Sequence, residues 1–131
     1  MGMKHPHATL LEKLYSDLTR GDWAAFAAGC PDAMTFQVPG KSPLAGKYTK
    51  SNFAQGYGAK LKELSGGTFQ TEVHDILASD RHVTVLATNR VTRNGKTTEL
   101  RAVHVWRFEQ GQPAAWYEYP RDLYQFDATW G

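Results

Sequence analysis

The sequence predicts an α+β domain in which helices gather on one face of a curved antiparallel sheet. Three observations lead there. Apolar residues recur at helical spacing up to Leu64. From Phe69 onward the period falls to two, with turn residues between the runs. The 131 residues, 41% hydrophobic and 21% charged, suit one globular domain large enough to bury a core.

Leu10, Leu11, Leu14, Tyr15 and Leu18 form the first apolar stripe, and Gly21 supplies a left-handed stop. Asp22 then caps a short second helix, Trp23 to Ala28, which Gly29 and Pro31 end. Met34 to Val38 reads as a short strand and Pro39 to Pro43 as a loop. A third helix begins near Thr49 to Ser51 and turns Phe53, Tyr57, Leu61 and Leu64 inward. Gly56 and Gly58 weaken that helix by up to ~1 kcal/mol each, which points to close packing or a bend. Four strands follow: Phe69 to Leu77, His82 to Thr92, Thr97 to Phe108 and Ala114 to Tyr119. Asn94-Gly95 marks a tight hairpin, because both positions tolerate positive φ. Val83, Val85, Ala87, Asn89 and Val91 share one strand face by period two. Pro120 to Trp130 carries four apolar anchors and reads as a docked helix or strap. The domain is expected over residues 8–131, with residues 1–7, including His5 and His7, as a disordered tail.

Several function classes are disfavoured. The net charge of +2 is scattered, without the basic face of a nucleic-acid binder. No apolar run approaches the ~20 residues that span a bilayer, and the N-terminus lacks the apolar stretch of a secretion signal. The lone Cys30 excludes an internal disulfide and fits a reducing compartment, so a cytoplasmic location is expected. No glycine loop precedes a helix to cradle phosphate. His74 and Asp75 are strand neighbours that point to opposite faces, so no metal site is expected. No cofactor is expected either.

The most informative stretches are Thr98 to Phe108 and Ala114 to Pro120, with Glu109 to Pro113 as the hairpin loop between them. Pairing them lets a histidine and a carboxylate share a sheet face with two tryptophans.

The chain resembles the nuclear transport factor 2-like superfamily in its SnoaL-like, ketosteroid isomerase-like branch. The resemblance is carried by Leu18-Thr19-Arg20-Gly21-Asp22-Trp23, by Asp32 to Phe36 leading to Pro43-Leu44-Ala45-Gly46, and by the helix with Phe53. The hairpin at Arg107-Phe108 and the ending Trp116-Tyr117-Glu118-Tyr119-Pro120 complete it. It implies a cone-shaped barrel whose curved sheet wraps around the N-terminal helices. It also implies a pocket for a small, largely apolar or aromatic molecule, and a homodimer formed through the outer sheet face. Against ketosteroid isomerases, the general-base position falls on Gln37, the oxyanion tyrosine on Leu14 beside Tyr15, and the protonated aspartate on His104. Steroid isomerisation by that mechanism is therefore not expected.

The same mapping turns Ala102, His104, Trp106 and Phe108 inward on one strand, and Trp116 and Glu118 on the next. Alternation independently places Arg101, Val103, Val105 and Arg107 together on the opposite face. His104 is the first candidate for proton transfer, since an unperturbed imidazole titrates near ~6.5; a core histidine satisfied by hydrogen bonds is the plain alternative. An inward Glu118 must be paired, hydrogen-bonded or protonated. An imidazolium beside it lowers its pKa; dominant desolvation raises it. Asn89 either orients a ligand or holds a neighbouring polar group. Trp106, Trp116, Phe36, Phe53, Tyr57 and Tyr15 either wall a ligand cavity or simply pack. The expected activity is cofactor-independent acid/base chemistry of the isomerase, cyclase, dehydratase or hydrolase type. The rivals are a non-catalytic carrier or sensor and a protein-interaction module. An open cavity of ~300–1,000 Å³ lined by both His104 and Glu118 separates the first two from the third.

Overall fold

The computed structural model describes residues 4–131. Helix α1 (Pro6–Thr19) and the short α2 (Trp23–Ala28) come first, joined through Gly21 at φ +77°. Strands β1 (Thr35–Val38) and β2 (Gly46–Thr49) precede a helical segment built of α3 (Lys50–Asn52), a π-helical turn (Phe53–Gly58) and α4 (Ala59–Ser65). The long strands β3 (Gln70–Ala78), β4 (His82–Arg93), β5 (Lys96–Glu109) and β6 (Gln112–Pro120) follow, and α5 (Leu123–Trp130) ends the chain. The six strands form one sheet in the order β2-β1-β6-β5-β4-β3, antiparallel except where β1 runs parallel to β6. Among the described residues no helix is long and apolar enough to cross a membrane.

Strand β2 was not anticipated, because Gly46-Lys47-Tyr48-Thr49 has no buried alternation; it is a largely exposed edge strand defined by its pairing with β1. The bend expected from Gly56 and Gly58 is the π-helical turn. The final segment is a helix, capped by Asp122 and held by the buried Phe126 and Trp130.

The expected tail needs correcting within its described part. Residues 1–3 lie outside the described residues, but α1 begins at Pro6, with His5 as its N-cap accepting from the His7 amide at 3.1 Å. Proline suits the first helical position because its missing N–H would have no partner there. His5 Nε2 also reaches Asp80 at 2.9 Å, and His7 stacks on Phe108 with centroids 3.9 Å apart.

Period-two parity sets the register that matters. The β4–β5 hairpin turns at Asn94-Gly95 and the β5–β6 hairpin at Gln110-Gly111, each pair at positive φ. A bulge near Phe108 lets Phe108 face Pro113 while Arg107 faces Ala115. Beyond it His104 lies directly opposite Glu118, and Trp106 opposite Trp116. Both pairs face the helices, and the core runs from α1 and the π-helical turn onto this inner face.

Candidate functional site

Four polar side chains meet inside an apolar, aromatic core. His104 and Glu118 are each 3% exposed, and Tyr15 and Tyr57 are buried beside them. Tyr15 comes from the inward stripe of α1, Tyr57 from the π-helical turn, and the other two from neighbouring strands.

The hydrogen bonds determine which way the protons point. The Tyr15 hydroxyl receives the indole N–H of Trp106 at 3.0 Å and that of Trp116 at 3.3 Å. A tyrosine hydroxyl has two lone pairs and one proton. With both lone pairs occupied, its proton goes to His104 Nδ1, 2.6 Å away. His104 is therefore the Nε2–H tautomer. That N–H is buried and has no hydrogen-bond partner. It faces Glu118 Oε2 across 3.7 Å, too far for a hydrogen bond. The same Oε2 accepts the Tyr57 hydroxyl at 3.1 Å.

His104 and Glu118 fall within ion-pair distance, but burial opposes the charged form of both. Desolvation pushes the imidazole down to about 3. It pushes the carboxyl up to about 7, against the smaller lowering by the Tyr57 hydroxyl. The pair is thus two neutral groups between those values, holding one titratable proton on the carboxyl. Burial and the neighbouring Glu118 carboxylate raise the Tyr57 hydroxyl well above its ordinary value, so it stays a donor.

The interior of the cone is filled, and the open cavity expected there is a correction. Trp106, Trp116, Phe36, Phe53, Tyr57 and Tyr15 are all buried, with Phe36, Phe53 and Tyr57 in a stacked row and Trp116 edge-on to Phe53. Among the described residues no cavity is lined by both His104 and Glu118. The large rings at these six inward positions take up the space that smaller residues would leave open.

Asn89 is not brought to the pair. It sits four residues along β4 from Val85, the partner of His104, about 13 Å away at strand spacing. Its Oδ1 accepts the Thr71 hydroxyl at 2.9 Å. Gln37 is half-buried on β1, between the fully buried Phe36 and Val38. Leu14 packs in the core, and its neighbour Tyr15 supplies the hydroxyl. Among the described residues no three His, Cys, Asp or Glu side chains converge as metal ligands. At the β3 bulge His74 donates or accepts at Thr88 Oγ1, 2.6 Å away.

Sequence reasoning assigned Trp23 no place in the site; it stood only as a helix start and as the last residue of the Leu18 to Trp23 motif. It is partly exposed and packs edge-on to Tyr57, Phe53 and Phe26. One side borders a groove of about 360 Å³, shared with Leu18, Leu61, Phe69 and Thr71. Its spacing from Phe26 carried a weak signal of burial and none of this placement.

Helices packed on one face of a curved, unclosed six-stranded sheet define a protein of the nuclear transport factor 2-like class. A protein of that class from Burkholderia pseudomallei, of unknown function, superposes with a TM-score of 0.80 at 20% identity, covering 97% of this chain and 98% of its own. Bal32a, from a soil-derived mobile gene cassette, gives 0.84 at 24% identity with 95% of each chain covered. TerC, co-crystallised with polyporic acid, gives 0.81 at 19% identity, covering 95% of this chain and 98% of its own. The family model of the SnoaL-like domain matches residues 11–116, and the chain belongs to that family. No curated protein matches it.

Proposed function

We propose that this protein binds a small, largely apolar molecule carrying a carbonyl or enol oxygen, and moves a proton on it without a cofactor. The SnoaL-like family holds isomerases and cyclases as well as binding proteins. One observation carries the proposal: an unpaired, buried His104 Nε2–H facing the Glu118 carboxyl across 3.7 Å. Unpaired polar groups are rare in protein cores, and two ionisable groups in an apolar setting cost stability. A ligand oxygen is what this donor lacks.

The roles differ from the first expectation. His104 has its only free lone pair engaged by Tyr15, so it serves as the donor that stabilises a developing oxyanion. Glu118 takes the proton from the ligand and returns it, and a carboxyl near neutrality suits that task. The filled cone requires the ligand to displace aromatic side chains on entry. Homodimerisation through the outer face of β5, where Val103 and Val105 lie between Arg101 and Arg107, belongs to the same reading.

The filled interior also favours a second reading, a protein-interaction module that uses exposed side chains such as Tyr119 and Leu77. A panel of aromatic ketones and enols separates the two. Turnover that falls ~10²–10⁴-fold in Glu118→Gln, with binding weakened in His104→Phe, supports the proposal. Turnover unchanged by both substitutions, or no binding of any compound, overturns it.

A further inference from the structure

We propose that the groove bounded by Leu18, Leu61, Phe69 and Thr71 is the outer chamber of the ligand site. Trp23 is the gate between it and Glu118. The proposal rests on the ligand-binding reading above and adds where the ligand enters and what shape it has.

Trp23 separates two environments. On one side lies the groove, whose volume of about 360 Å³ falls within the ~300–1,000 Å³ of small-molecule sites. On the other, the indole meets Tyr57 edge-on at 5.4 Å, and the Tyr57 hydroxyl is bound to Glu118. Two rings thus stand between the groove and the carboxyl. Another groove, on the β1–β6 side, is lined by Glu118 itself with Gln37, Lys47 and Tyr117, but by none of the aromatic rings that fill the cone.

The indole is built to leave its seat. Trp106 and Trp116 anchor their N–H groups on Tyr15, but among the described residues Trp23 makes no side-chain hydrogen bond. It is the first residue of a six-residue helix, two positions after Gly21 at φ +77°. Its ring rests on the bare backbone of Gly58, where an added Cβ would lie 2.8 Å from the Trp23 Cγ. Gly58 belongs to the π-helical turn, a geometry that recurs at functional sites in helices. Rotation of Trp23 therefore opens the groove as far as the Tyr57 ring without breaking a hydrogen bond, and Tyr57, whose hydroxyl is bound to Glu118, is the second ring the ligand meets. By contrast α5, whose Trp130 packs on Phe69 of the groove at 5.9 Å, is tied down: Asp127 accepts from the Lys41 amide, Arg93 donates to the Thr129 carbonyl and Gln125 to the Glu99 carbonyl.

The space that an indole vacates between the groove and Tyr57 is flat and aromatic-walled. The ligand class is accordingly a planar aromatic of one or two fused rings with a carbonyl at its leading edge, able to reach His104 Nε2–H. Asn89, joined to Thr71 at the groove, lies at the trailing end.

Stopped-flow quenching of the remaining tryptophans by 2-acetylnaphthalene tests this. In the unaltered protein the observed rate should level off with ligand concentration, at the rate of gate opening. Trp23→Ala should remove the plateau and speed association at least tenfold, and Trp23→Phe, which keeps a ring in the core, should fall between. Circular dichroism checks that both variants are folded. Binding at equal rates in all three proteins overturns the gate and leaves the ligand-binding reading standing. Absence of binding in all three overturns both.

Discussion

Replacing Glu118 by glutamine should add a rising slope to the pH–stability profile between pH 4.5 and 6.5. In the unfolded chain the carboxyl titrates near 4.5 and the imidazole near 6.5; in the folded protein they titrate at about 7 and about 3. The His104 contribution is fully present above pH 6.5 and is lost as pH falls towards 3. The Glu118 contribution is fully present below 4.5 and is lost as pH rises towards 7. Between 4.5 and 6.5 the unfolded chain holds one proton on His104, and the folded protein holds one on Glu118. The counts match, so the pair adds no slope there. In Glu118→Gln only the imidazole remains, and the unfolded chain binds the extra proton throughout that window. Stability should then climb by about 1.4 kcal/mol per pH unit, on the order of 3 kcal/mol across it. Glutamine keeps an oxygen to accept the Tyr57 hydroxyl, so packing is little disturbed. Urea unfolding of both proteins at pH 4.5, 5.5 and 6.5 reads the difference directly, and the other carboxylates cancel in the subtraction. A difference that stays flat across the window would refute the buried, uncharged state of His104. Infrared difference spectra of the same two proteins should show a protonated carboxylic acid in the unaltered chain that titrates near neutrality.

Three further outcomes follow from the same geometry. Tyr15→Phe leaves two indole N–H groups and His104 Nδ1 without a partner, and should cost about 3 kcal/mol or more in urea unfolding. Tyr57→Phe removes the only hydrogen bond that lowers the Glu118 pKa, so the carboxyl should titrate still higher in the infrared assay. Gln110 occupies a left-handed turn position at φ 52°, which asparagine tolerates better; Gln110→Asn should raise the thermal midpoint, by roughly 0.5 kcal/mol in free energy.

Much of the site was readable because strands alternate strictly. Once Thr97 to Phe108 and Ala114 to Tyr119 were recognised as strands, alternation grouped His104 with Trp106 and Glu118 with Trp116; that both pairs turn inward was implied by the family resemblance, and the register across the bulge sets it. The pattern also marked the two helices capped before Pro6 and at Asp22, although not the residue at which the first begins. Asn89 shows the limit: it shares the inner face, but distance along β4 takes it from the pair to the groove.

The amino-acid order alone determined which residues share a face of each strand or helix, since periodicity depends only on local backbone geometry. Tertiary structure decided everything that depends on volume and on meetings across the chain. Whether six rings fill a cone or line it follows from how α1, the π-helical turn and the sheet close together. The His104 tautomer follows from two indoles, 91 and 101 residues away in sequence from Tyr15, arriving at one hydroxyl. Trp23 came to lie between the groove and Tyr57 because Gly58, from another element, left room for its ring.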